Sequence, residues 1–165
     1  MAIVDSLVPE FDHEMATTRR LLDLVPEGRF DWKPHVKSRT LGELAEHLAT
    51  MPVWCSAALG ATCLDLDALD APPAPPPSRA QLLDAFDKRL STARAQLVGT
   101  TDPEMFVPWT LKKGDQEVFT MPRISVLRTF VMNHMVHHRG QLSVYLRLND
   151  VPLPSIYGPT ADERF

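Results

Sequence analysis

Seven consecutive residues near the middle of the chain, Ala71-Pro72-Pro73-Ala74-Pro75-Pro76-Pro77, restrict the fold more than any other stretch. Five of them are prolines, which lack a backbone N–H and hold φ near one value, so neither helix nor an inner strand can pass through. The expected conformation is extended polyproline II. On either side lie two amphipathic stretches, and two helices are too few to close a core. The halves must therefore pack on each other, and residues 1–165 are expected to form one domain.

The first stretch, Ile3 to Leu24, places Val4, Leu7, Phe11, Met15, Thr18 and Leu22 at steps of three and four. The second begins at Thr40-Leu41-Gly42-Glu43, where Thr40 can accept from an orphan N–H and Glu43 can reach back. Its stripe is Leu41, Leu44, Leu48, Met51, Cys55 and Ala58, with a kink expected at Pro52. Ser78-Arg79-Ala80-Gln81 opens the third, which carries Leu82, Leu83, Phe86, Leu90, Ala93 and Leu97. The fourth starts at Pro122 and runs to about Asn149. Between the third and fourth, Phe106–Leu111 and Gln116–Thr120 flank Lys112-Lys113-Gly114-Asp115 as a β-hairpin, with Pro108 assigning its strand to an edge. The fold class read from this pattern is all-α, a four-helix bundle with long crossover connections and a small hairpin.

Composition excludes several functions. Seventeen Lys plus Arg against twenty-one Asp plus Glu give a net charge of −4, which is no footprint for nucleic acid or anionic lipid. No apolar run reaches the length of about 18 residues that a spanning helix needs, and Met1 to Glu10 has no basic and apolar leader pattern. Cys55 and Cys63 stand eight apart on one expected helix or its end, neither a disulfide framework nor a metal knuckle. The expectation is a cytoplasmic protein with reduced thiols, Cys55 being packing.

Three of the six histidines crowd into five residues. At about 100° per residue, Ile124, Leu127, Val131, His134, His138, Leu142 and Tyr145 share one stripe. His134 and His138 thus occupy positions that call for core residues, one turn apart, while His137 falls on the flank. His47, with Leu44, Met51, Trp54 and Ala58, looks inward from the second helix. Stacked imidazoles among aliphatics leave polar nitrogens that need partners. A divalent cation satisfies them, and three histidine ligands leave a coordination position open. Imidazole suits zinc, nickel, iron and copper alike. His13 and His35 read as surface or loop residues, Glu43 and Glu46 as capping and solvating ones, and Arg139 and Arg147 as lying near the solvent side of the last helix. Trp32, Trp54 and Trp109 read as core or crevice walls.

Asp31-Trp32-Lys33-Pro34 with Thr40-Leu41-Gly42-Glu43-Leu44-Ala45-Glu46-His47-Leu48 resembles the second-helix signature of the DinB/YfiT-like family. Met132-Asn133-His134-Met135-Val136-His137-His138-Arg139-Gly140-Gln141-Leu142 resembles its fourth-helix signature, and Val151 to Pro159 is similar to the tail many members carry. The resemblance implies a divalent metal, zinc or nickel first with iron or manganese as alternatives, held by His47, His134 and His138. It also implies a small-molecule substrate, a homodimer, and activities such as transfer of a low-molecular-weight thiol. The alternatives are metal-dependent hydrolysis, which needs a group to manage protons, with only His137 and Tyr145 nearby, and a non-catalytic, stress-associated metal-binding protein.

Overall fold

The computed structural model describes residues 2–69 and 78–164, so the proline run lies outside the described residues. The protein is mostly helical, with a small three-stranded sheet. Helices α1 (Ile3–Leu22), α2 (Leu41–Gly60) and α3 (Arg79–Val98) form where their periodic stripes predict. A short helix α4 (Asp102–Met105) follows α3, and Asp102 Oδ1 accepts from Ile3 N (2.7 Å), satisfying an orphan donor of α1. The last rod has three pieces: α5 (Arg123–Val126), a π-helical stretch (Leu127–Asn133) and α6 (His134–Leu148).

The start of α2 shows how sequence becomes position. Thr40 Oγ1 accepts from Glu43 N (3.1 Å) and Glu43 Oε2 accepts from Thr40 N (2.7 Å), completing the capping box. The next two amides also find partners, Leu41 N donating to the Trp32 carbonyl (2.7 Å) and Gly42 N to the Phe30 carbonyl (2.9 Å). A side chain at residue 42 would stand 2.8 Å from Phe30 Cδ1, so glycine is what admits this close approach. The loop before α2 is thereby fixed to the helix that carries His47. The helix continues through Pro52, whose missing N–H leaves the Leu48 carbonyl without its usual donor.

The core gathers Phe11 and Met15 from α1, Leu44, Leu48 and Met51 from α2, Phe86 from α3, and Leu142 and Leu146 from α6. Helix α2 packs on α3 and α6, and α1 on the same two.

The sheet departs from the predicted hairpin. A third strand, β1 (Cys63–Asp65), pairs parallel with β2 (Pro108–Lys113), which pairs antiparallel with β3 (Gln116–Pro122), so the order is β1-β2-β3. Cys63 therefore lies in a strand rather than on the helix of Cys55, and β2 is central rather than an edge. Pro108 is tolerated there because β1 spans only the register Thr110 to Lys112, and the proline lies beyond it. Trp109 is fully buried and donates Nε1 to the Ala57 carbonyl (3.2 Å), tying the sheet to α2. Pro122 ends β3 and the helical rod begins one residue later.

Candidate metal centre

His47 enters from α2, and His134 and His138 from the first turns of α6. Their Nε2 atoms converge: His47 to His134 is 3.4 Å and His134 to His138 is 2.8 Å. The ring centroids lie 5.2, 4.5 and 4.7 Å apart for His47–His134, His47–His138 and His134–His138. All three side chains are half-buried, and one ligand atom from each lies within 4.8 Å of the others.

Their surroundings keep the imidazoles neutral. Burial lowers the His47 pKa from 6.5 to about 4, helped by the like charges of His138, Arg39 and His134. Burial also lowers His134 and His138, while the Phe130 carbonyl and Gln141 respectively pull the other way. The Gln141 bond decides the tautomer of His138. Gln141 Oε1 accepts from His138 Nδ1 (2.7 Å), and its Nε2 donates to His137 Nε2 (3.2 Å), which fixes the amide orientation. The Phe130 carbonyl favours the protonated form of His134, opposing burial.

The consequence is a test of whether a cation fits. With its Nδ1 proton given to Gln141, His138 turns an Nε2 lone pair toward His134 Nε2 at 2.8 Å, where either a proton on His134 or a shared cation meets it. Two nitrogens each about 2.1 Å from a tetrahedral ion stand about 3.4 Å apart. The His47–His134 spacing matches that value and the other is somewhat tighter. Three neutral nitrogen donors, one of them oriented by Gln141 at its outer nitrogen, are a fitting ligand set for a divalent metal.

Other sequence expectations fare unevenly. The fully buried residues of α6 are Met135, Arg139, Leu142 and Leu146, while His134, His138 and Tyr145 line the adjacent, half-buried stripe. The π-helical stretch causes this offset: its i→i+5 turns hold more residues, so counting at 100° through it misplaces the side chains beyond it. Arg139 is thus not on the solvent side; it is 2% exposed and pairs with Glu14 Oε2 at 2.6 Å. Arg147 is exposed and pairs with Asp162. Glu46 is buried and pairs with Arg89 (3.0 Å), so it does not solvate the helix. Tyr145 donates its hydroxyl to the Arg39 carbonyl (3.3 Å) and meets Trp32 edge-on. Cys55 is buried, its thiol pushed up to about 12, which suits packing and not ligation. His13, His35 and His137 are exposed. Gln141 is the residue that sequence reasoning missed; a carboxamide three positions after an inward histidine was the available signal.

A mostly helical protein that presents convergent imidazoles from two helices defines a class of candidate metal-binding proteins. The DinB family profile matches residues 3–164, so the chain belongs to the DinB family. It is 27% identical over 163 residues to YrdA of Bacillus subtilis (strain 168), described as uncharacterized, covering 97% of this chain and 91% of that one. Its fold is similar to a DinB-like protein of Bacillus cereus ATCC 10987 (TM-score 0.75, 22% identity, covering 94% of this chain and 98% of that chain). A DinB-like protein from Bacillus subtilis, YjoA, gives a TM-score of 0.67 at 17% identity, covering 88% and 95%. Among the described residues, no helix is long and apolar enough to cross a membrane.

Proposed function

We propose that this protein is a metal-dependent transferase that uses a low-molecular-weight thiol as nucleophile, its ion held by His47, His134 and His138 inside a four-helix bundle. The observation that carries the reading is the convergence of the three Nε2 atoms, with Gln141 holding the outer nitrogen of His138. A divalent zinc- or nickel-like ion there supplies Lewis acidity, lowering the pKa of a thiol presented to it. The chain's own part is to hold three neutral donors and to orient His138 through Gln141. Thiol chemistry is favoured over hydrolysis because no carboxylate joins the histidine cluster among the described residues. Glu43 is committed to its cap and Glu46 to Arg89. In transfer, the thiol sulfur bonds to an electrophilic carbon as the leaving group departs and the thiol proton passes to solvent. Tagless protein, metal-loaded and metal-free, is assayed with a panel of small thiols and a halobimane. The reading predicts turnover with at least one thiol only when metal is present; equal rates in both preparations contradict it.

A further inference from the structure

His137 is exposed and stands outside the converging group, yet its ring meets that of His138 edge-on, with centroids 4.8 Å apart. On α6, Gln141 follows His137 by four residues and His138 by three, so its side chain lies over both. The carboxamide is used at both ends: Oε1 accepts from His138 Nδ1 (2.7 Å) and Nε2 donates to His137 Nε2 (3.2 Å). Among the described residues that side chain makes no other hydrogen bond.

A carboxamide has two orientations of nearly the same shape, and they make opposite demands on an imidazole. With oxygen toward His138, that ring keeps its proton on Nδ1 and Nε2 offers a lone pair. With nitrogen toward it, Nδ1 must accept, the proton moves to Nε2, and Nε2 is closed to a cation. The contact with His138 is satisfied in either case, so the other end of the amide decides between them. There His137 Nε2 receives an N–H, which requires the oxygen to face His138. The two imidazoles are thus coupled: while His137 accepts, His138 is in its ligating tautomer.

We propose that His137 is a positioning residue that, through Gln141, selects the tautomer in which His138 presents Nε2 to the cation. For the metal this rests on the reading above; the coupling itself belongs to the chain without its ion.

The test uses the full, tagless chain. Long-range hydrogen–nitrogen correlations in metal-free protein at about pH 8, where imidazoles are neutral, report which ring nitrogen of His138 carries the proton. Wild type and His137→Glu, which offers only acceptors, are expected to hold it on Nδ1. His137→Ala is expected to give a mixture, and His137→Lys, which offers only donors, to move it toward Nε2. Zinc affinity, read by competition with a chelator, is expected to fall about threefold in His137→Ala, the worth of one modest hydrogen bond. In a Gln141→Glu background the same substitution is expected to change affinity by less than about 1.5-fold, because either carboxylate oxygen accepts from His138. A His138 proton on Nε2 in wild type, or a tautomer indifferent to residue 137, overturns the proposal whatever the zinc affinity. An affinity loss absent from the Gln141 background, or equal in both backgrounds, also overturns it. Wild type that takes up no stoichiometric zinc overturns the metal reading and the role in ligation with it, and the nitrogen shifts tell that failure from a failure of the coupling.

Discussion

Two polar clusters on α6 lie one residue apart and answer the same problem differently. Arg139 is buried with all its neighbours satisfied: it pairs with Glu14, donates to the Glu14 carbonyl (3.0 Å) and donates to the Tyr157 hydroxyl oxygen (2.6 Å). Tyr157 Oη in turn donates to Glu14 (2.8 Å), so α1, α6 and the C-terminal tail are joined through one network. The histidine cluster beside it is half-buried, with three Nε2 atoms from two helices converging. The first network pairs opposite charges within the protein; the second gathers three neutral donors with no acid among them. That contrast separates a structural cluster from a functional one better than burial does.

The largest effect that sharpens the contrast comes from removing a ligand. His134→Ala and His138→Ala are each expected to abolish stoichiometric metal in tagless protein, read by elemental analysis, while the metal-free variants stay folded by circular dichroism. In the other cluster the outcome reverses. Arg139→Leu strands the buried Glu14 carboxylate and is expected to destabilise by about 3–5 kcal/mol in urea unfolding, with part recovered when Glu14→Leu is added. Next comes Gln141→Ala, which leaves all three ligands in place but frees the His138 tautomer. Metal affinity is expected to fall by about 10- to 100-fold in competition with a chelator, at nearly unchanged stability.

The smallest effect is on pH. His47 has a folded pKa of about 4 against 6.5 when exposed, so in metal-free protein the unfolded chain binds the extra proton first. Stability is then full above pH 6.5 and declines as pH falls toward 4. Urea midpoints across that range are expected to fall less steeply in His47→Gln than in wild type.

Much of this was legible in the sequence, for identifiable reasons. The caps at Thr40 and Ser78 are local chemistry, so α2 and α3 begin where their residues demand. The position of His47 came from periodicity along the regular α2, and the shared face of His134 and His138 from their spacing of four within α6. Where regularity fails, so does the reading. Nothing in Leu127-Arg128-Thr129-Phe130-Val131-Met132-Asn133 announces wider turns, and the resulting offset placed Arg139 on the wrong side. Strand β1 escaped because three residues with mixed burial make no pattern; its pairing depends on β2, far along the chain, and on Asp65 Oδ1 accepting from Gly114 N (2.9 Å). Gln141 escaped because its role exists only once the rings are in place.

The central claim is that three imidazoles share one cation, and X-ray absorption on the metal-loaded, tagless protein addresses it most directly. The account predicts one ion per chain with a shell of three imidazole nitrogens, at about 2.0–2.1 Å if the ion is zinc. A sulfur shell at about 2.3 Å, or fewer than three imidazoles around a stoichiometric ion, would contradict it.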